Sequence, residues 1–171
     1  PLGLLSLAAV ARQEGHEVEF VDPYVDDSHC PSLDDVDAVG IYSNTICFRG
    51  TKRLLDEILV QKKNGWAGMT MVGGPHASVC PETIPEWVDH VVIGEGEQAI
   101  LDIFNGTATG RVVNAERIRD LDELPRPAWD LAEKYPYTMK FPMGSHNGKV
   151  FTMNTSRGCP HDCSFCSVGS I

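Results

Sequence analysis

Apolar and polar positions along the chain follow two alternating periods, one helical and one of strands, from Leu2 to Phe104. Residues 2–14 repeat Leu4, Leu5, Leu7, Ala8, Val10 and Ala11 at helical spacing, and Gly15 follows as a helix stop. Residues 17–21 alternate polar and apolar before the turn at Asp22-Pro23, which predicts a strand. The run 37–43 predicts a buried strand. Residues 49–63 set Leu54, Leu55, Ile58 and Leu59 on one face and Lys52, Arg53, Lys62 and Lys63 on the other, which predicts a helix. A short apolar strand is expected at 69–72, closing on Gly73-Gly74-Pro75. Then come a short helix or turn at 81–87, a strand at 90–93, and a helix at 97–104 ended by Asn105-Gly106.

Strands alternating with helices predict an α/β fold, a Rossmann-like open parallel sheet with helices on both faces. The series opens on a helix, so the first strand of such a sheet is expected to be missing. An acidic, proline-containing loop at 22–36 stands where another helix is expected. Beyond residue 106 the character changes. Prolines 125, 127, 136 and 142 exclude regular helix and central strand. Residues 107–148 therefore read as an interdomain linker, with a short strand at 111–113 and with Trp129 and the tyrosines as anchors. A strand at 149–155 is expected to open a second domain, with a cysteine-rich loop at its carboxyl end, where β/α barrels carry their catalytic loops. The domain reading is 1–106 for the sheet, 107–148 for the linker, and 149–171 for the start of a partial or full barrel.

Composition narrows the function classes. The 171 residues fit one domain plus a piece of another, and 42% hydrophobic with 22% charged residues is ordinary for a globular chain. Fourteen Lys and Arg against 24 Asp and Glu give a net charge of −10, spread along the chain, which disfavours nucleic acid as a partner. No stretch approaches the roughly 18 apolar residues of a membrane span, and the start lacks a basic, apolar signal sequence. Six cysteines without a pairing pattern point to a reducing, cytoplasmic setting. The chain opens at Pro1 and stops five residues after Cys166, and both ends read as excisions.

The densest chemistry lies in Thr155-Ser156-Arg157-Gly158-Cys159-Pro160-His161-Asp162-Cys163-Ser164-Phe165-Cys166. Its C-x3-C-x2-C spacing offers three thiolates on one loop and no nearby fourth, since the other cysteines are 30, 47 and 80. Clusters held in short loops usually take four cysteines, so three leave one iron of a [4Fe–4S] cubane open for chemistry. A zinc site would need a fourth ligand from His146, His161 or a distant cysteine. His161 sits between two of the thiols, badly placed for the same ion. A disulfide would strand an odd cysteine in a tight loop.

Cys159, Cys163 and Cys166, with Phe165 before the third, resemble the radical S-adenosylmethionine (SAM) superfamily. The longer string resembles its branch with an N-terminal cobalamin-binding domain. The resemblance implies that the three cysteines hold a [4Fe–4S] cluster whose fourth iron binds SAM. SAM is then cleaved to a 5′-deoxyadenosyl radical, with Phe165 near the adenine. It further implies an electron donor such as ferredoxin or flavodoxin, protection from oxygen, and a small-molecule, lipid or natural-product substrate. The expected reaction is methyl transfer or rearrangement at an unactivated carbon. The sequence names no catalytic side chain.

In an open parallel sheet, ligands bind beyond the carboxyl ends of the strands. Three such ends suit close approach: Ser43-Asn44-Thr45, Gly73-Gly74-Pro75-His76 and Gly94-Glu95-Gly96-Glu97. Ser43 with Gly73-Gly74 is similar to the serine and double glycine that surround the nucleotide tail in cobalamin-binding domains. On that resemblance Ser43, Asn44, Thr45, Gly73, Gly74, Gly94 and Gly96 are the expected cobalamin contacts. The Asp-x-His-x-x-Gly motif that supplies a lower cobalt ligand elsewhere is not matched. Asp27-Ser28-His29-Cys30-Pro31-Ser32 ends in the wrong residue and follows the wrong strand. His76 reads as a solvent-exposed turn residue, and Cys30, Cys47 and Cys80 as small buried ones.

Two other functions compete. Methylthiotransferase-type tRNA-modifying radical enzymes share the triad and add three cysteines upstream, a count that Cys30, Cys47 and Cys80 match. The acidic charge and the Gly-Gly-Pro-His and Gly-Glu-Gly-Glu strings disfavour that reading. A non-catalytic cobalamin or Fe–S module would require a filled cluster. Residues 1–171 alone are expected to be inactive, because a barrel is needed to enclose SAM.

Overall fold

The computed structural model describes residues 1–26, 29–137, 140–141, 144–145, 152–161 and 163–168. In chain order its elements are α1 (Leu2–Gln13), α2 (Pro23–Asp26), β1 (Ala38–Tyr42), α3 (Phe48–Lys63), β2 (Met69–Gly73), α4 (Pro75–Val79), β3 (His90–Ile93), α5 (Gly96–Phe104), β4 (Val112–Asn114), β5 (Lys140–Phe141) and β6 (Gly144–Ser145). Short 3-10 turns occur at Pro81–Thr83, Leu121–Glu123 and Trp129–Ala132. The chain divides into two compact units, residues 1–28 with 124–157 and residues 29–123 with 158–171.

The second unit contains a four-stranded sheet in the order β1-β2-β3-β4, every pair parallel. Ala38 pairs with Met69 and Tyr42 with Gly73, so β1 and β2 end level with one another. Alternate residues of the central strands enter two different cores, as the two-residue period of a strand requires. Val72 and Val91 join Ile41 and the α3 residues Leu55 and Ile58, together with Ala77 of α4. Met71 and Val92 face the other way and join Ala99 and Ile103 of α5. Both faces of the sheet are thus covered by helices, and the chain has the Rossmann-like α/β fold that its alternating pattern predicts.

Residues 29–33 are clasped to α3. Glu57 accepts the Cys30 amide at 2.7 Å, Gln61 accepts the Leu33 amide at 2.9 Å, and Gln61 donates to the Pro31 carbonyl at 2.9 Å. The Cys30 amide, with help from His29 and Arg53 and against the cost of burial, draws the Glu57 carboxyl down to about 2. Burial, and then the Glu57 charge, push the Cys30 thiol up.

The first unit contains α1, which ends as its sequence predicts. Gly15, at φ +89°, donates to the Arg12 carbonyl and His16 to the Ala11 carbonyl, the paired bonds of a Schellman stop. The strand expected at 17–21 does not form. Phe20 is instead buried with Leu5, Ala132 and Tyr135. Its ring meets that of Tyr135 edge-on at 5.6 Å. The Tyr135 hydroxyl accepts the Asp22 amide at 2.8 Å, and the Tyr137 hydroxyl donates to the Asp22 carboxylate at 2.6 Å. Aromatic side chains hold the segment in place, and it pairs with no strand among the described residues.

The described part of the strand expected at 149–155 does not form. Residues 149–151 lie outside the described residues, and residues 152–155 are exposed and form no strand. Met153 is 79% exposed, so no partner strand buries its apolar face. Two short helices went unforeseen: α2 forms within the expected loop at 22–36, and α4 begins with Pro75 at its first turn, a favoured place for proline.

Candidate functional site at the carboxyl ends of the strands

Ser43 follows the last residue of β1, and backbone bonds fix it on both sides. Its amide donates to the Gly73 carbonyl at 2.8 Å, and its carbonyl accepts the His76 amide at 3.1 Å. The residue is fully buried, yet its hydroxyl has no hydrogen-bond partner among the described residues. Leaving a buried hydroxyl unpaired costs about 1–3 kcal/mol, so this oxygen is unspent capacity at the end of the sheet. Thr70 Oγ1 and His90 Nδ1 are also unpartnered, but they lie near the opposite, amino ends of β2 and β3.

The two glycines after β2 differ in kind. A Cβ on Gly73 would meet Val92 at 3.6 Å, an ordinary contact. A Cβ on Gly74 would lie 2.7 Å from the Ser43 carbonyl and 2.9 Å from the Tyr42 ring, and the backbone stands at φ +99°. Gly74 is therefore required by its own neighbours, whereas a Cβ on Gly73 would make only ordinary contacts.

The remaining expected contacts are distributed as follows. Asn44 accepts the Cys47 amide at 2.8 Å and so closes the turn that precedes α3. Thr45 is exposed and within 3.1 Å of the His76 ring. Gly94 donates its amide to the buried Ser78 hydroxyl at 3.0 Å, and Gly96 opens α5. Glu95 accepts the Ile118 amide at 2.8 Å.

His76 is not the exposed turn residue expected. It is 7% exposed, and its ring lies 3.9 Å from that of Phe48. Its Nε2 is 3.0 Å from the Thr83 hydroxyl, which donates at 2.6 Å to the Cys80 carbonyl. The reason is α4, which turns the side chain inward. The Gly74-Pro75 start signal was the clue available in the sequence.

The cysteines of the carboxyl-terminal motif are apart from this strand-end site in sequence and are all free and exposed. The Cys166 amide donates to the Cys163 carbonyl at 3.0 Å, so a turn joins the last two. Phe165 is 91% exposed. The position a Cβ would take on Gly158 lies 2.6 Å from the Arg117 guanidinium, so a cation stands just before Cys159. Among the described residues, no group of three or more His, Cys, Asp or Glu side chains is gathered closely enough to hold a metal ion. His29 pairs with Glu57 at 3.1 Å and is largely exposed, while Asp27 and Ser28 lie outside the described residues. No described helix is long and apolar enough to cross a membrane.

The parallel sheet covered by helices is an α/β domain of the kind that binds ligands beyond the carboxyl ends of its strands. Residues 1–104 match the B12 binding domain family, and the chain belongs to that family. It is 32% identical to an uncharacterized methyltransferase of Pyrococcus horikoshii over 98% of this chain and 40% of that protein. It is 28% identical to the hopanoid C-3 methylase of Methylococcus capsulatus over 98% of this chain and 36% of that one. It is 34% identical to an anaerobic magnesium-protoporphyrin IX monomethyl ester cyclase of Rubrivivax gelatinosus over 58% of this chain and 21% of that one. The chain spans well under half the length of these relatives. They bear out the resemblance to cobalamin-binding proteins of the radical SAM type.

The residues present fit cobalamin. Ser43 offers a buried hydroxyl with no partner among the described residues, and Gly73 beside it adds no side chain at the strand end. Three soft thiols at Cys159, Cys163 and Cys166 suit iron in chemistry.

Proposed function

We propose that this chain holds cobalamin at the carboxyl ends of β1 and β2 and contributes the cysteine ligands of a [4Fe–4S] cluster in a SAM-dependent radical methyltransferase. The sheet domain, read as residues 1–106 and extended by β4 to residue 114, would carry the cobalamin, the rest of 107–148 would link, and residues 149–171 would begin the cluster-binding domain. When bound, cobalamin would supply a carrier for a methyl group, and the cluster with SAM would supply radical chemistry at an unactivated carbon. The chain's own residues bind and orient. Ser43 offers its hydroxyl, Gly73 leaves room, and the Ser43–Gly73 and His76–Ser43 backbone bonds hold both strand ends in place.

The observation that carries the reading is the buried, unpartnered Ser43 hydroxyl in a chain of the B12-binding family. Methylase relatives support methyl transfer, and small lipid-like or pigment molecules are the substrate class that their names suggest.

The test compares wild type with Ser43→Ala in the full-length protein. The alanine removes an unsatisfied buried group, so the free protein should be equally or more stable. Its affinity for hydroxocobalamin should nevertheless fall by about 5-fold or more. Unchanged affinity would remove the observation on which the assignment stands.

A further inference from the structure

His76 is buried, bonded at both ring nitrogens, and close to the candidate ligand site without occupying it. The bonds fix its protons. The Thr83 hydroxyl has one hydrogen, which it donates to the Cys80 carbonyl at 2.6 Å, a group that can only accept. Thr83 must therefore accept from His76, and Nε2 carries the ring proton. In the neutral ring Nδ1 is then a bare lone pair, and the Thr45 hydroxyl, 3.1 Å away, donates to it. Stacking of the ring on Phe48 at 3.9 Å, with 33° between the planes, restricts any ring flip that would exchange the two nitrogens.

We propose that His76 is a positioning residue that sets the hydrogen-bond character of the ligand site through Thr45. Thr83 holds His76 as its Nε2–H tautomer, and His76 draws the Thr45 hydroxyl proton inward. The exposed Thr45 oxygen then meets a ligand only as an acceptor. It selects N–H donors, such as the primary amides around a corrin, and not another acceptor such as a phosphate. Ser43, whose hydroxyl has no partner, keeps its proton free to donate. The strand end thus presents one fixed acceptor and one adaptable hydroxyl. Its ligand preference rests on the cobalamin reading above, while the tautomer does not.

The experiment uses full-length protein labelled with 15N-histidine, with and without hydroxocobalamin. The His76 resonances, assigned by their loss in His76→Gln, should report Nε2–H in the free wild type. Thr83→Val removes the acceptor of that proton and should shift the ring toward Nδ1–H. Thr45→Val and Thr83→Val should each weaken hydroxocobalamin by about 5-fold. The double variant should be no weaker than Thr45→Val alone, because Thr83 acts only through Thr45. Melting temperatures separate a general loss of fold from this coupling. An Nδ1–H tautomer in the wild type, or fully multiplicative losses in the double variant, would overturn the proposal. If the wild type binds no cobalamin, the cofactor reading fails, and the tautomer spectrum alone then decides, Nε2–H supporting the proposal and Nδ1–H refuting it.

Discussion

Gly74→Ala should destabilise the sheet, whereas Gly73→Ala should not, although the two positions are adjacent and both glycines look alike in the sequence. Gly74 sits at φ +99° and ψ 178°, a region open almost only to glycine. Forcing alanine there costs about 1–3 kcal/mol in backbone strain. Its Cβ would lie 2.7 Å from the Ser43 carbonyl, the acceptor of the His76 amide. Moving that carbonyl away weakens a backbone bond worth about 1 kcal/mol. The total is about 3 kcal/mol, a large share of the roughly 5–15 kcal/mol that holds a domain folded. At Gly73 the Cβ meets Val92 at an ordinary 3.6 Å, and alanine is favoured over glycine in a strand by about 0.5 kcal/mol. Equilibrium urea unfolding of the two full-length variants, followed by tryptophan fluorescence, measures both. A Gly74→Ala loss below about 0.5 kcal/mol, or an equal loss in Gly73→Ala, would refute the reasoning from these contacts.

Two further predictions concern charge and metal. Glu57 is held near 2 when folded, below its ordinary 4.5, so its stabilising effect is complete above 4.5 and is lost as pH falls toward 2. Glu57→Gln should lower stability at neutral pH and flatten the acid-induced loss across that window. An acid profile parallel to wild type would show that the Cys30 clasp is not the cause. Replacing Cys159, Cys163 or Cys166 with Ala in anaerobically reconstituted full-length protein should cut iron from about four per chain and abolish SAM cleavage. Retention of full iron and cleavage by any one variant would remove that cysteine from the ligand set.

Local pattern carried most of the sheet. The charged and apolar faces of residues 49–63 became α3, and the run 90–93 became β3. Residues 17–21 had an equally regular alternation and formed no strand. Their partner is Tyr135, more than a hundred residues away, and no local period reveals a bond across that distance. His76 was misread for a related reason. Its bonds run to Thr45 and Thr83, and only the fold of α4 brings these together. The glycines at 73 and 74 were marked together for close approach to a ligand, and the structure shows that the chain's own neighbours already require Gly74. Which of them the backbone needs and which the ligand would need depends on the Ser43 carbonyl, whose position the sequence does not contain.

The most direct test is an absorbance titration of full-length wild-type protein with hydroxocobalamin, followed by gel filtration. The account predicts that the corrin spectrum elutes with the protein at about one per chain, matching the one parallel sheet among the described residues. Gly73→Leu, which places a bulky side chain at the strand end beside Ser43, should elute without it. Protein that emerges colourless from a saturating titration, or a Gly73→Leu variant that retains the corrin as well as wild type, would contradict the claim that these strand ends are the cobalamin site.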